Sequence, residues 1–170
     1  MIRHGLVPTS LGELLLVADG DALTGLYFSD HKYPPNPDDI GEDLGFEPED
    51  ATFAQAAREL REYLAGERRE FEIAVAPRGD DFSQQVWEIL LAIPYGETRT
   101  YGWIAERLGN RALAQRVGQS VGHNPVSIII PCHRIVGADG SLTGFAGGLE
   151  RKRTLLALEE PPAEEAGRLF

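Results

Sequence analysis

The sequence predicts a two-domain α/β protein, with a small β-sheet and a helix in the first half and a mostly helical second half. Three observations favour this fold class. Two apolar runs of strand length flank a tight-turn dipeptide near the N-terminus, helical spacings of apolar residues prevail after residue 80, and chain-breaking residues separate the two patterns. With 170 residues, of which 42% are hydrophobic, the chain can form one or two compact cores.

The N-terminal half begins with a predicted β-hairpin. Residues 12–18 and 22–28 are the two apolar runs, and the Asp19-Gly20 dipeptide between them favours a tight turn. Residues 30–50 follow with eight acidic residues, one lysine and four prolines. Because this composition offers too little apolar surface to offset the entropy of ordering, we expect a mobile acidic loop.

A helix, a strand and a boundary complete this half. Helical spacing of apolar residues predicts an amphipathic helix over residues 52–65, and residues 71–75 are predicted as a strand. Residues 76–80 combine proline, glycine and aspartate, and the charge balance changes there. We therefore expect an N-terminal α/β domain over residues 1–77, a second domain over residues 78–162, and a tail over residues 163–170.

The second half carries three helical patterns. One helix is expected to end before Pro94, and two short helices over residues 101–108 and 112–121 are separated by Gly109-Asn110. Two short helices around a glycine-containing turn are typical of a helix-turn-helix, although any small helical hairpin gives the same pattern.

Charge and composition limit the function classes. The formal net charge is −11, yet residues 1–80 hold seven basic and seventeen acidic residues, whereas residues 99–153 hold eight basic and three acidic ones. That basic segment permits a polyanionic partner. No apolar run approaches the roughly 18 residues of a membrane span, and the N-terminus lacks the pattern of a secretory signal. A single cysteine cannot form an internal disulfide, so we expect a cytoplasmic protein with no membrane partner.

Cys132 is the strongest candidate for chemistry. The β-branched run over residues 126–130 predicts a buried strand, Pro131 ends it, and Cys132 would then stand at the end of a rigid element. A lone cysteine is more often a small buried hydrophobic residue. However, an adjacent imidazole, a following guanidinium and a glycine-rich stretch over residues 144–148 favour a reactive thiol, because a thiol needs a base or cationic neighbours to become a thiolate.

The sequence around this cysteine resembles a known family. The stretch Ile130-Pro131-Cys132-His133-Arg134-Ile135-Val136, with its flanking motifs, resembles the O6-alkylguanine-DNA alkyltransferase family over residues 82–159. The flanking motifs are Tyr101-Gly102, Arg116-Val117-Gly118, Asn124-Pro125, Gly147-Gly148-Leu149, Lys152, Leu155-Leu156 and Glu159. The resemblance implies a ribonuclease-H-like N-terminal domain and a winged-helix-like C-terminal domain. It also implies direct DNA repair, in which one chain transfers one alkyl group from O6 of guanine to its own cysteine and is consumed.

The resemblance assigns catalytic roles to five residues. Cys132 would be the nucleophile, and His133 would be its base, acting through a water. Glu159 would orient the imidazole, as the acid of a hydrolase triad does. Tyr101 would donate a hydrogen bond or a proton to the departing base, and Asn124 would hold the loop that carries the cysteine.

The resemblance also implies that double-stranded DNA containing O6-alkylguanine is the partner. The helix over residues 112–121 would enter the minor groove, and Arg116 would take the place of the flipped base. The small residues Ala114, Gly118 and Ser120 would let the helix approach closely, and Arg134 is expected among the DNA-binding residues. Such contacts read shape and phosphate, so no base-sequence preference is expected.

The flipped base would lie in a pocket between Tyr101 and the loop that carries Phe145, Ala146 and Gly147. The Ala146 amide and the carbonyl groups of Cys132 and Ile135 would hold it. The resemblance implies no cofactor, and we expect no bound metal, because His4 and His31 have no cysteines beside them. We expect a monomer, with assembly of several copies along DNA left open.

Two alternatives from other classes stay open. One is a non-catalytic sensor that binds alkylated DNA and recruits excision repair, but such relatives carry tryptophan in place of the cysteine. The other is a cysteine hydrolase or redox protein. Adjacent Cys132 and His133 cannot easily face each other directly, and the sequence has no second cysteine to resolve a disulfide. Both observations argue against this second alternative.

Overall fold

A computed structural model describes residues 1–160, and its first half is built on a five-stranded sheet. The strands are β1 (Ile2–Thr9), β2 (Gly12–Asp19), β3 (Ala22–Phe28), β4 (Glu42–Phe46) and β5 (Ala74–Val75). Their order across the sheet is β4-β1-β2-β3-β5. The central three strands are antiparallel, and the two edge strands pair in parallel with their neighbours. The predicted hairpin is β2 and β3, and the strand β1 beside it was not predicted.

Helix α1 (Ala51–Leu64) covers one face of this sheet. The Asp50 side chain caps its first turn by accepting hydrogen bonds from the backbone amides of Thr52 and Phe53, and Arg3 of β1 pairs with the same carboxylate at 2.6 Å. Phe53 and Leu60 are fully buried against the sheet. The amphipathic helix predicted from the apolar spacing is therefore confirmed to within one residue at each end.

The expectation of an irregular loop over residues 30–50 is wrong in part. Residues Glu42–Phe46 form the edge strand β4, and Pro37–Asp39 form a 3-10 turn that the Asn36 side chain caps. Strand pairing with β1 supplies the backbone hydrogen bonds that the acidic composition could not reveal. The rest of this segment contains no other helix or strand.

The predicted strand over residues 71–75 is also shorter than expected. Only Ala74–Val75 pair with β3. The backbone amides of Glu72 and Ile73 instead donate hydrogen bonds to the buried carboxylate of Glu59, at 2.7 and 3.0 Å. Because a side chain of α1 takes these amides, the strand begins two residues later.

The second half is mostly helical. Its helices are α2 (Asp81–Leu91), α3 (Tyr101–Arg107), α4 (Ala114–Gly122) and α5 (Leu149–Glu159), with two-residue parallel strands β6 (Arg99–Thr100) and β7 (Ile135–Val136). Helices α3 and α4 contact each other across a turn that includes the 3-10 segment Arg111–Leu113. They are the two helices predicted as a helix-turn-helix.

Residues 126–130 do not form the predicted strand. Ile128 has a φ of 72°, which the extended backbone of a strand excludes, and the amides of Ile129 and Ile130 donate to carbonyl groups within the same loop. A single bridge joins Val126 to Leu26 of β3. The run is β-branched and apolar because the loop is buried, not because it is a strand.

The two halves share one hydrophobic core. Buried residues of the sheet and α1 form a continuous cluster with buried residues of α2, α3 and α4. The Leu26 amide also donates to the Pro125 carbonyl at 2.8 Å across the junction. Within residues 1–160, no helix has the length and apolarity needed to cross a membrane. The expected tail over residues 163–170, and residues 161–162 of the expected second domain, lie outside the described residues.

Candidate active site

Cys132 begins the short 3-10 turn Cys132–Arg134 and lines a cleft of about 450 Å³. Only 5% of the residue is exposed. The other lining residues come from both halves of the chain: Lys32, Tyr33, Tyr101, Gly118, Val121, Gly122, Gly144, Phe145, Ala146, Gly148 and Leu149. A cleft of this volume is within the range that holds small organic ligands.

The residue after the cysteine belongs to a buried hydrogen-bond network. His133 Nε2 lies 2.9 Å from Glu159 Oε2, and both side chains are buried. Arg134 binds both oxygens of the same carboxylate, through Nε at 2.8 Å and Nη2 at 2.9 Å. The Tyr63 hydroxyl, from α1, donates to Oε2 as well. Glu159 is thus the centre of the network.

These contacts set the protonation states of the pair. Burial alone would raise the pKa of Glu159, but the hydrogen bonds from His133, Arg134 and Tyr63 outweigh it and hold the pKa well below its usual range. Burial lowers the pKa of His133, although Glu159 acts in the other direction. At neutral pH the carboxylate is therefore ionised and the imidazole is neutral, with its proton on Nε2. His133 Nδ1 is then a proton acceptor, and it makes no hydrogen bond within residues 1–160.

The Cys132 thiol is neutral at rest. Burial raises the pKa of Cys132, whereas Asn124, the positive charge of Lys152 and Ser127 act to lower it. Lys152 is itself fully buried, and its Nζ donates to the Ile135 carbonyl at 2.6 Å and to the Thr143 carbonyl at 3.3 Å. The site therefore holds a protonated nucleophile beside groups that favour its ionised form.

Asn124 fixes the loop that precedes the cysteine. Its side-chain amide donates to the Ile130 carbonyl at 2.8 Å, and its side-chain oxygen accepts from the Val126 amide at 3.0 Å. One buried side chain thus joins both ends of the turn over residues 126–130. The resemblance implied this loop-holding position for Asn124.

The cleft walls include three residues expected in the pocket. Tyr101 stands at the start of α3, and its hydroxyl lies 2.7 Å from the Thr143 hydroxyl. Phe145 and Ala146 line the cleft on the segment that leads to α5. Together these residues place an aromatic phenol and a glycine-rich backbone beside the thiol.

Comparisons with known proteins agree with this site. A family model described as 6-O-methylguanine DNA methyltransferase, ribonuclease-like domain, matches residues 2–77, and the DNA binding domain model of the same family matches residues 81–161. The chain belongs to the O6-methylguanine-DNA methyltransferase family. Its two-domain fold is that of the family, with a ribonuclease-like sheet domain followed by a helical DNA-binding domain.

Relatives in this methyltransferase family match the whole chain. The methylated-DNA–protein-cysteine methyltransferase of Mycobacterium tuberculosis is 43% identical over 170 residues, which are 100% of this chain and 99% of the relative. That of Methanosarcina acetivorans is 41% identical over 157 residues, 92% of this chain and 97% of the relative. The crystal structure of Mycobacterium tuberculosis OGT in complex with DNA has a TM-score of 0.82 at 44% identity, covering 93% of this chain and 92% of that chain.

Helix α4 carries the residues that the family resemblance assigned to DNA contact. Arg116 is exposed, and its guanidinium lies 3.9 Å from the centre of the Phe82 ring. Ala114 is half-buried, and Gly118 lines the cleft beside Tyr101. Ser120 is different, because it is buried and its hydroxyl lies 3.0 Å from that of Ser83 on α2. Its side chain therefore faces the protein interior and not the exposed side of α4.

Three other expectations do not fit the geometry. Arg134 was expected among the DNA-binding residues, but its guanidinium is buried on Glu159 and the Ile93 carbonyl. The Ile135 carbonyl was expected to hold the base, but it accepts from Lys152 and does not line the cleft. Gly147 faces away from the cleft, since a Cβ there would lie 2.5 Å from the Phe28 ring.

Sequence reasoning missed four residues near the site. Tyr63 and Lys152 are buried partners of the catalytic groups, and Lys32 and Tyr33 line the cleft from the segment expected to be a loop. Lys152 stood in the family motif, but nothing in the sequence showed that its amine is buried. No sequence signal links Tyr63 to Glu159, which lies 96 residues further along the chain. No group of three or more His, Cys, Asp or Glu side chains in residues 1–160 is placed to hold a metal ion.

Proposed function

We propose that this methyltransferase-family chain repairs O6-alkylguanine in DNA by transferring the alkyl group to its own Cys132. The observation that carries the proposal is the position of Cys132 in a ligand-sized cleft, next to a neutral imidazole whose Nε2 proton is held by Glu159. The full-length similarity to methylated-DNA–protein-cysteine methyltransferases supports the substrate class. A reagent that must stay a free thiol suits the reducing cytoplasm.

The transfer balances with the groups that are present. The Cys132 proton passes to Nδ1 of His133, through a water as in the family, and the thiolate attacks the alkyl carbon. The sulfur–carbon bond forms as the carbon–O6 bond breaks, and the bonding electrons leave with guanine O6. The purine then gains a proton, with Tyr101 as the donor nearest the cleft, and His133 returns its proton to restore the balance. The products are S-alkyl cysteine and guanine.

The thioether product makes the chain a single-use reagent. A thioether is stable to water, and the neutral His133 base has no carbonyl or ester to attack in the product. We therefore infer one transfer per molecule. No cofactor enters this scheme, because nucleophile, base and proton donor are all side chains of the chain.

Access to O6 requires the base to leave the duplex. Flipping costs on the order of a few kcal/mol, less for a base whose pairing is already damaged. The exposed Arg116 on α4 and the adjacent cleft support entry of α4 into the minor groove, with the flipped base passing towards Tyr101. The crystal structure of the similar Mycobacterium tuberculosis protein with DNA supports duplex DNA as the partner.

Intact-mass spectrometry after incubation with a duplex containing O6-methylguanine tests this function. The expected result is a gain of one CH2 per chain, located on the peptide that contains Cys132. The Cys132→Ser variant should lose transfer and keep DNA binding, because the hydroxyl is far less acidic than the thiol. Continued turnover, or a methyl group on another residue, would contradict the proposal.

A further inference from the structure

One residue of the N-terminal half enters the catalytic network. Tyr63 lies in the last turn of α1 and is fully buried, with its ring 5.1 Å from the centre of the Phe71 ring and 6.2 Å from that of Tyr95. Its hydroxyl donates a hydrogen bond to Glu159 Oε2. That oxygen also accepts from His133 Nε2. The hydroxyl is therefore one atom away from the base of the reaction.

Holding the carboxylate in place does not require this hydroxyl. Arg134 already binds both Glu159 oxygens with two nearly parallel N–H groups, a geometry that fixes the plane of a carboxylate. The additional effect of Tyr63 is electrostatic. Its hydroxyl hydrogen withdraws negative charge from the oxygen that faces His133, and so weakens the attraction of that oxygen for a proton on the imidazole.

We propose that Tyr63 is a positioning residue of alkyl transfer, whose hydroxyl tunes Glu159 so that His133 stays neutral and able to accept the Cys132 proton. This role rests on the proposed function, since it takes His133 as the base. The N-terminal domain then contributes directly to the chemistry of the C-terminal domain, through a single hydrogen bond across the junction.

The groups around His133 explain why such tuning matters. Arg134, on the same turn, and Lys152, on α5, disfavour a positive imidazole, as burial does, whereas Glu159 favours it. Cys132 is neutral at rest, and Tyr95 near Glu159 is a neutral phenol whose pKa is raised by burial. Because Glu159 is the one group here that promotes the imidazolium, a donor on Glu159 Oε2 shifts the balance towards neutral His133.

The Tyr63→Phe variant removes the hydroxyl and keeps the ring. Two quantities are measured from about pH 5 to about pH 8 on the full chain: the single-turnover transfer rate from an O6-methylguanine duplex, and the nitrogen NMR shifts of His133 in the unreacted protein. The acid midpoint of both curves should rise by about 0.5 pH unit or more, because a lost hydrogen bond to a charged group is worth that much. The rate should fall several-fold near pH 6 and stay close to wild type near pH 8.

The matched control is Tyr95→Phe. Its hydroxyl belongs to the same aromatic cluster, but it donates to the Leu158 carbonyl at 3.1 Å and not to Glu159. This variant should lose stability to a similar extent and keep the wild-type midpoint. Should Tyr63→Phe fail to fold, 3-fluorotyrosine at position 63 keeps the shape and makes the hydroxyl a stronger donor, so the midpoint should then move down.

The outcomes separate this role from the function on which it rests. If wild type transfers the methyl group and the midpoint does not move in Tyr63→Phe, or moves equally in Tyr95→Phe, Tyr63 is only a packing residue and the inference is overturned. If wild type transfers nothing, the proposed function itself fails. A shift confined to changes at position 63 supports the inference.

Discussion

Cys132 combines two properties that oppose each other in a nucleophile. It is buried, and burial raises the pKa of its thiol, which would ordinarily make a cysteine inert. The surrounding groups Asn124, Lys152 and Ser127 offset part of this effect. A neutral resting thiol also protects a reagent that can be used only once. Ionisation then accompanies proton transfer to His133.

The charge of Lys152 should matter more than its volume. In Lys152→Met, the side chain keeps a similar length but loses the positive charge that favours the Cys132 thiolate, and the Ile135 carbonyl loses its donor. We expect the transfer rate to fall by about tenfold, equivalent to about 1.4 kcal/mol in the barrier. Single-turnover kinetics on the methylated duplex measure it. An unchanged rate in a folded variant would show that Lys152 is purely structural.

At the scale of the element, α5 delivers two charged groups to one site. Lys152, Leu155 and Glu159 recur at steps of three and four residues, so they share one face of the helix, and all three are buried. The amine on this face approaches Cys132, and the carboxylate two turns later approaches His133. One helix thus supplies opposite charges to neighbouring residues of one short turn.

Helix α4 presents Arg116 to solvent, and this arrangement predicts a substrate-dependent effect. In Arg116→Ala, transfer from duplex DNA should fall by about 10- to 100-fold, because the flipped state loses the side chain that replaces the base. Transfer from the free modified base should stay nearly normal. Arg58→Ala, on the exposed face of α1, is the control with the same change in charge. Equal losses on both substrates would exclude a role in flipping.

At the scale of the whole molecule, two halves of different charge enclose one active site. The acidic N-terminal half supplies Tyr63, Lys32 and Tyr33 to the site, and the C-terminal half supplies the reacting groups. Their common hydrophobic core makes the junction part of the folded unit. A change that loosens this junction should therefore affect transfer as well as stability.

Buried titratable groups predict that stability falls as the solution becomes acidic. Burial, with the nearby positive charge of Arg151, lowers the pKa of His31 to about 4, and the pKa values of His133 and Glu159 are lowered as well. All three bind more protons in the unfolded chain, so their stabilisation is complete above about pH 6.5 and is lost below it. We expect the free energy of unfolding to fall by about 2 kcal/mol between pH 7 and pH 5. Urea unfolding at both pH values measures it.

The His31→Asn variant isolates one contribution to this pH dependence. His31 is buried, and its Nδ1 accepts a hydrogen bond from the Phe28 amide at 3.4 Å. Asparagine keeps an acceptor but does not titrate, so the loss of stability between about pH 6.5 and pH 4 should become smaller. An identical pH dependence in wild type and variant would show that His31 does not contribute.

Local patterns in the sequence determined the hairpin, the helices and the reactive cysteine. Turn dipeptides, helical periodicity and the motif around Cys132 depend on residues close together in the chain, so they can be read without a structure. The same patterns failed at residues 126–130, where a buried apolar run is a strained turn, and at residues 71–75, where Glu59 takes the backbone amides.

Only the tertiary structure decided which groups meet. The contact of Tyr63 with Glu159, the buried amine of Lys152, and the inward directions of Ser120 and Arg134 depend on how distant segments pack. A side chain's type shows what it can donate or accept, but its burial and partners set its pKa and its direction. The sequence therefore determined the reaction class, and the packing of the two halves determined the electrostatics that the reaction uses.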